Sequence, residues 1–213
     1  MPYRMTEQGR QRRAERRSTI LAAARELFIA QGYEATTMQQ VVRAAGTSIG
    51  NCYFYFPNKH ALLLALVDDL SDQIGAAFDQ VTQQTPDGPE QLAIAVYAAV
   101  TALLRQADMA RLLLIETVQP DVQERITAQF IGRTKRFFEA HPHLSSDIPP
   151  TLIAHAWQGS IFYIVRGALE GKLSADPEVI GPFLVRWNLQ ALGLSQTAID
   201  AAVESITNWP VQR

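Results

Sequence analysis

The sequence contains a single cysteine, Cys52, among 213 residues. An intrachain disulfide is therefore impossible, and this is typical of proteins from a reducing compartment. Charged residues make up only 19% of the chain and hydrophobic residues 47%, which argues against a disordered protein and supplies enough apolar side chains for a packed core. The N-terminus is polar and rich in arginine, without an apolar stretch, so we expect no secretory signal and a cytoplasmic protein.

Long apolar runs are also missing. The stretches 91–104 and 148–165 lack charged residues, but the first is too short to span a membrane comfortably. The second contains two prolines and several polar residues, among them His155 and Gln158. We therefore expect both stretches to be buried helices and no membrane partner.

The usual catalytic motifs do not occur. The chain has no glycine-rich phosphate loop, no H-E-x-x-H motif and no G-x-S-x-G motif. His141 and His143 flank a proline within a turn-rich break, without a cysteine or carboxylate partner at the spacing of a metal site. The sequence therefore predicts no enzyme, no cofactor and no metal site.

Basic residues are concentrated at one end of the chain. Residues 1–60 contain nine basic and four acidic residues, a net charge of +5, whereas the remainder contains ten basic and seventeen acidic residues, a net charge of −7. This asymmetry indicates that only the N-terminal part meets a polyanion, although a solvated helix face would also explain the arginines.

Helical spacing of apolar residues recurs along almost the whole chain, and no useful β-alternation occurs. Ile20, Leu21, Ala24, Leu27 and Phe28, for example, share one face of a helix. The pattern predicts an all-α fold. The predicted helices cover 16–31, 48–57, 58–81, 90–106, 108–117, 121–140, 151–172, 177–193 and 196–208, with a further short helix before residue 46.

That short helix and the next form the segment 36–55. Thr36 or Thr37 can cap the first helix, with Gln39 or Gln40 as its capping-box partner, and Gly46 ends it. The second helix is capped by Ser48. Two short helices joined by a glycine-containing turn are typical of a helix-turn-helix, whose second helix can enter the major groove of DNA.

The longer segment 17–67 resembles the N-terminal domain of the TetR family of bacterial regulators. The matching features include Leu27-Phe28, Gly32-Tyr33, Ala45-Gly46, Tyr53 and Lys59, and the resemblance covers about 50 of the 213 residues. It implies a three-helix DNA-binding domain with a basic N-terminal arm at 1–57. A larger ligand-binding and dimerisation domain would follow at 58–213, with 58–81 as the connecting helix. The implied function is a transcription repressor that binds a palindromic operator in double-stranded DNA as a homodimer and is released by a small-molecule effector.

The resemblance also implies which residues contact DNA. Ile49 stands where relatives often have lysine, and it could instead touch a thymine methyl group. Cys52 could be a redox switch or, as we expect, a buried inert thiol. The expected DNA contacts are Arg16 and Arg17 of the arm, Thr37, Gln39, Arg43, Ser48, Ile49, Gly50, Asn51, Tyr53, Tyr55 and Lys59.

The C-terminal body should contain the dimer surface and the effector pocket. Small residues at helical spacing on 151–172 and apolar residues on 177–193 favour a dimer interface, although both faces could simply line the monomer core. The expected interface residues are Gly159, Ser160, Ile164, Gly167, Phe183 and Trp187. Aromatic residues and isolated polar residues give the expected pocket, namely Tyr97, Glu116, Phe130, His155, Trp157, Gln158 and Phe162.

Two other functions stay open. A helical interaction protein could have kept this fold without sequence-specific DNA binding, with Ile49 as the supporting feature. A small-molecule enzyme in the helical body is a third possibility. The sequence names neither the effector nor the operator, and it does not decide between a repressor and an activator.

Overall fold

A computed structural model of the chain describes residues 6–145, 147–207 and 209, so Arg4 of the basic arm and residue 208 of the last predicted helix lie outside it. All regular elements in these residues are helices, which confirms the predicted all-α fold. The α-helices are α1 (Glu7–Gln31), α2 (Met38–Ala44), α3 (Ile49–Tyr55), α4 (Lys59–Gln84), α5 (Pro89–Arg105), α6 (Ala107–Arg111), α7 (Pro120–Ala140), α8 (Pro150–Leu169), α9 (Pro177–Ala191) and α10 (Gln196–Thr207). A π-helical turn covers Leu112–Glu116 and a 3₁₀ turn covers Pro142–Leu144.

The basic arm differs from the prediction. α1 begins at Glu7 rather than near residue 16, because Thr6 caps it by accepting a hydrogen bond from the backbone N–H of Gly9 at 3.2 Å. The added residues are mostly Arg, Gln, Glu and Ala, which all favour helix. The arginines of the described arm are therefore held on a helix.

The chain divides into two compact units, the first ending at Asp69 and the second beginning at Leu70, both within α4. In the first unit, Ile20 and Phe28 of α1 are buried with Val41 of α2 and Cys52 of α3. Burial of these apolar side chains is the main force that holds the three helices together.

Two glycines end the first two helices where the sequence predicted. Gly32 has φ 84° after α1, and Gly46 has φ 58° after α2. Side chains disfavour this left-handed backbone, so glycine is the residue suited to both turns.

Helix α5 forms the centre of the second unit. Its side chains are buried on almost every face, and it packs against α8, α9 and α10. At its contact with α9, the ring of Tyr97 lies directly against the backbone of Gly181, where an added Cβ would collide with the ring. A glycine at this position therefore lets the two helices approach closely.

The predicted helix 108–117 is not continuous. It consists of α6 followed by the π-helical turn, which Thr117 closes by donating its hydroxyl to the carbonyl of Leu112 at 2.7 Å. The wider turn changes the direction of the side chains that follow the α-helical part. Glu116, at its end, is exposed.

Within the described residues, no helix alone is long and apolar enough to cross a membrane. The helices Pro89–Arg105 and Ala107–Glu116 satisfy the criteria of length and composition only as a pair, with a bend of 90° between them.

Candidate nucleic-acid interface and ligand cavity

Helix α2 starts with a complete capping box. The hydroxyl of Thr37 accepts the backbone N–H of Gln40 at 3.3 Å, and the side chain of Gln40 accepts the backbone N–H of Thr37 at 2.8 Å. Of the two threonines and two glutamines suggested by the sequence, Thr37 and Gln40 form the box. Thr36 is buried and donates its hydroxyl to the carbonyl of Gly32 at 2.8 Å. These bonds fix the point at which α2 begins.

Helix α3 is capped by Ser48, as predicted. The hydroxyl of Ser48 accepts the backbone N–H of Asn51 at 3.2 Å, while the Asn51 amide donates to the hydroxyl of Thr47 at 2.7 Å. Cys52 faces inward from the same helix and is fully buried, and burial raises the pKa of its thiol. The helix thus has one face committed to the core of the first unit.

The opposite face of α3 is exposed although it is apolar and aromatic. The exposed fractions are 60% for Ile49, 45% for Tyr53 and 67% for Phe54. A Cβ at Gly50 would meet nothing within 4 Å, so the surface beside these side chains is open. Such an exposed apolar cluster usually marks a binding surface.

Arginines of α1 lie beside this helix. The guanidinium of Arg13 lies 5.6 Å from the ring centre of Phe54, and that of Arg17 lies 5.1 Å from the ring centre of Phe56. Arg16 lines a polar groove together with Ser48 and Asn51. The structure therefore brings three expected DNA contacts into one groove.

The remaining expected DNA contacts occupy different environments. Gln39 and Arg43 of α2 are exposed, and Tyr55 is half-buried with its ring edge-on to Phe54, 5.1 Å between centres. Sequence reasoning missed Arg13 and Phe54. The spacing of four residues between Arg13 and Arg17, together with the aromatic run 53–56, is the signal that could have found them.

Lys59 is held by the protein itself. Its Nζ donates to the carbonyl oxygens of Tyr33 at 2.7 Å and Glu34 at 3.1 Å, and it lies 4.2 Å from the ring centre of Tyr33. The Glu34 carboxylate is 3.8 Å away. Any DNA phosphate would have to compete with these partners, so the evident role of Lys59 is to tie α4 to the loop after α1.

The second unit contains a small cavity of about 50 Å³ among α4, α5, α7 and α8. Phe130 and Trp157, two of the expected pocket residues, line it. The full lining is Ile74, Phe78, Leu92, Ala95, Val96, Ala99, Phe130, Arg133, Thr134, Phe137, Phe138, Trp157 and Ile161.

The other expected pocket residues lie outside this lining. Tyr97 is buried against Gly181, and Phe162 contacts Phe130 edge-on, 5.2 Å between ring centres. The side chain of Gln158 donates to Thr127 at 2.8 Å. Two residues differ most from the expectation: Glu116 is exposed at the end of the π-helical turn, and His155 is exposed on α8.

Arg133 is the charged residue of the cavity that sequence reasoning missed. It is half-buried on α7 and donates to the carbonyl oxygen of Ser71 on α4 at 2.9 Å. Burial lowers the pKa of its guanidinium, while the carboxylates of Asp79 and Asp72 act in the opposite direction. In the sequence it resembles any arginine on the solvent side of an amphipathic helix.

Helices α8 and α9 present an exposed apolar stripe. On α9, the rings of Phe183 and Trp187 stack with 6.2 Å between centres, and their exposed fractions are 51% and 60%. On α8, Tyr163 is 79% exposed and Gly159 is also exposed. The stripe is defined here as Leu152, Gly159, Tyr163, Val179, Phe183 and Trp187.

The other expected interface residues are less accessible than the stripe. Ser160, Ile164 and Gly167 are half-buried, and Ser160 donates to the side chain of Asn188 on α9 at 3.0 Å. Ser160 therefore helps to join α8 to α9 within one chain. Sequence reasoning missed Leu152, Tyr163 and Val179, although they continue the same helical spacing.

His141 and His143 lie in a different environment from the one that the sequence predicted. His141 and His143 do have a carboxylate neighbour, because the oxygens of Asp87 lie 3.7 Å and 3.6 Å from their Nε2 atoms. More than 50 residues separate these partners in sequence, which hid the contact. Nevertheless, no group of three or more His, Cys, Asp or Glu side chains in the described part of the chain is arranged to hold a metal ion.

Comparison with known proteins agrees with the helix-turn-helix. Residues 20–66 match the model for bacterial regulatory proteins of the tetR family. The chain is 32% identical over 77 residues to the HTH-type transcriptional regulator EthR of Mycolicibacterium smegmatis, a match that covers 36% of each protein. It is 35% identical over 86 residues to the HTH-type transcriptional activator FasR of the same organism, covering 40% of this chain and 39% of FasR. The matches thus span well under half the length of these relatives.

Solved structures extend the likeness to most of the chain. SmeT, the repressor of the Stenotrophomonas maltophilia multidrug efflux pump SmeDEF, has a TM-score of 0.68 at 20% identity, covering 82% of this chain and 89% of SmeT. A SmeT–triclosan complex has a TM-score of 0.70 at 19% identity, covering 83% and 91%. At such identities the likeness shows the fold. The family match by itself identifies residues 20–66 as an N-terminal domain of the tetR family of bacterial regulatory proteins.

Proposed function

We propose that the chain is a transcription repressor that binds a palindromic DNA operator as a homodimer and is released by a small-molecule effector. The observation that carries this proposal is the exposed face of α3, where Ile49, Tyr53 and Phe54 project beside the arginines of α1. Apolar and aromatic groups can contact thymine methyl groups in the major groove, while arginines neutralise phosphates. The family match over residues 20–66, together with the similarity to EthR and FasR, which are both HTH-type transcriptional regulators by name, supports the DNA-binding role.

The homodimer is proposed from the apolar stripe of α8 and α9. Tyr163, Phe183 and Trp187 leave large aromatic surfaces in water, and self-association of two such stripes would bury them. A two-fold axis would place the two copies of α3 on successive major-groove half-sites, roughly 34–36 Å apart. This geometry predicts an operator with two inverted half-sites.

The effector site is proposed to be the cavity lined by Phe130 and Trp157. Mostly apolar walls with few polar groups are typical of small-molecule sites. SmeT, whose fold is similar, is a repressor whose structure has been solved with triclosan, whereas FasR is an activator. For this chain we propose repression. Ile74 and Phe78 place α4 in the cavity wall, and the same helix begins at Lys59, which holds the loop after α1. α4 is therefore the proposed route of communication.

This function belongs to a cytoplasmic regulator rather than an enzyme. An alternative is a protein of the same fold that lacks sequence-specific DNA binding. Ile49 favours the alternative, because an isoleucine at this exposed position supplies no charge for a phosphate and no hydrogen bond for a base.

Selection of duplexes from a random DNA pool by the full-length chain separates the two functions. The proposed function predicts enrichment of one inverted repeat. The variant Val118→Ser, which changes an exposed apolar residue of the second unit, serves as control and should select the same repeat. Uniform weak binding without an enriched sequence would instead support the alternative.

A further inference from the structure

The cavity of the second unit combines aromatic walls with a single charged residue. Phe78, Phe130, Phe137, Phe138 and Trp157 contribute rings to the lining. The charged residue in the lining is Arg133. An apolar wall with one cation favours a ligand that is apolar at one end and anionic at the other.

Gly75 makes room for the guanidinium of Arg133. A Cβ at this position would lie 2.9 Å from the Cζ atom of Arg133 and even closer to one of its nitrogens, so any other side chain would push the guanidinium away. The close approach positions Arg133 against α4, where it donates to the carbonyl of Ser71 at 2.9 Å. The position of the charge is thus set by two contacts with α4.

The guanidinium has unused capacity for hydrogen bonding. It carries five N–H donors, and its recorded hydrogen bond uses one of them. Among the residues that the structure describes, no carboxylate forms a salt bridge with it; Asp72 and Asp79 act only at longer range, opposed by Arg136. A partly buried cation without a close anion is costly, and a ligand carboxylate would remove that cost through two parallel hydrogen bonds.

We infer that the effector is an apolar monocarboxylate, bound with its carboxylate on Arg133 and its hydrocarbon part among the aromatic rings. The inference rests on the proposed function, in which this cavity is the effector site. Arginine is well suited to this task because its planar fork matches a carboxylate better than a lysine ammonium does.

The size of the cavity adds a consequence for regulation. Its volume is about 50 Å³, whereas an engineered cavity that binds benzene measures about 150 Å³. A ligand with even one ring must therefore push the walls apart. Ile74 and Phe78 belong to α4, so expansion of the cavity displaces the helix that enters the first unit.

The test compares an acid with the neutral alcohol of the same carbon skeleton, 4-phenylbutyrate and 4-phenylbutanol. Binding to the full chain without DNA is measured by calorimetry and by the fluorescence of Trp157, in a background in which the other two tryptophans, Trp187 and Trp209, are replaced by phenylalanine. The acid should bind at least about 10-fold more tightly than the alcohol, as expected for hydrogen bonds between charged groups. Equal affinity of the two compounds, or binding of the alcohol alone, would overturn the inference.

Substitution of Arg133 tests whether its charge is responsible for the difference between the two compounds. Arg133→Gln should lower the affinity for the acid by about 10- to 100-fold and change the affinity for the alcohol by less than about twofold. Lys135→Gln is the matched control, an exposed cation of the same helix, and should leave both affinities unchanged. If Arg133→Gln weakens both compounds equally, Arg133 has only a structural role and the inference fails.

Gly75→Ala tests the position of the charge without removing it. Alanine favours helix more than glycine does, so the melting temperature should not fall. The acid should nevertheless bind more weakly, because the Cβ displaces the guanidinium; unchanged acid affinity would count against the inference. If the acid binds but does not alter the affinity for the operator, the cavity still binds a monocarboxylate. The proposed role of this ligand as the effector would then be refuted.

Discussion

Replacing Trp187 with serine should disrupt the homodimer while leaving the folded chain intact. Trp187 is 60% exposed and stacks on Phe183, so its ring supports the apolar stripe rather than the core of the chain. Loss of an exposed side chain of this kind changes the free energy of unfolding of one chain little. In the homodimer the partner chain would bury the same side chain, which would then contribute substantially to the free energy of dimerisation.

The size of the effect follows from the exposed area. A tryptophan presents roughly 200 Å², of which the exposed part is roughly 120 Å². At about 25 cal/mol per Å², burial contributes about 3 kcal/mol for each chain, and about 6 kcal/mol in a two-fold dimer as an upper limit. If half of this survives the loss of side-chain freedom, the dissociation constant rises by more than about 100-fold.

Sedimentation velocity over a range of chain concentrations measures this change. Wild-type chain should sediment as a dimer at concentrations where Trp187→Ser is a monomer with an unchanged circular dichroism spectrum. Val118→Ser removes an apolar residue that is 79% exposed outside the stripe and should behave as wild type. A Trp187→Ser protein that dimerises with unchanged affinity would refute the assignment of the stripe as the interface.

Three further predictions concern the first unit. Thr37→Ala removes the capping box of α2 and should lower the free energy of unfolding by about 0.5–2 kcal/mol in urea titrations, whereas no change would mean that the cap is dispensable. Because burial raises the pKa of the Cys52 thiol, the folded chain keeps this proton to a higher pH than the unfolded chain. Protonated Cys52 therefore contributes to the free energy of unfolding below the ordinary thiol pKa of 9.0, and this contribution is lost as the pH rises through the pKa of the folded chain. The urea midpoint of Cys52→Ala should accordingly fall less at alkaline pH than that of wild type. Equal decreases in the two midpoints would contradict this. Arg16→Gln should reduce the slope of log affinity for DNA against log salt by about 0.9 for each chain, or about 1.8 for the dimer, while Arg186→Gln in the second unit should not, and an unchanged slope for Arg16→Gln would exclude a phosphate contact.

Local chemistry explains what was predictable from the sequence. Thr37, Ser48, Gly32 and Gly46 act through their own backbone or hydroxyl groups on neighbours a few residues away. Such signals do not depend on the rest of the fold. Thr6 is likewise a residue type that caps helices. Residues 7–19, however, lack the regular spacing of apolar residues that marks an amphipathic helix, and α1 was therefore predicted too short.

Features that depend on helix packing could not be predicted. Arg133 borders the cavity because α7 turns one side towards α4, and Gly75 happens to leave space for it. Glu116 instead points to solvent, because the π-helical turn alters the phase of its segment. Periodicity along one helix identifies its apolar face but not the neighbour against which that face packs.

The exposed face of α3 is the surface proposed to bind the operator. This proposal is tested most directly by titrating the selected operator duplex with wild-type chain and with Tyr53→Ala, whose side chain is 45% exposed and belongs to no buried core. We expect Tyr53→Ala to lose operator binding while it still sediments as a dimer with an unchanged melting temperature. Operator affinity equal to that of wild type would contradict the assignment of α3 as the recognition helix.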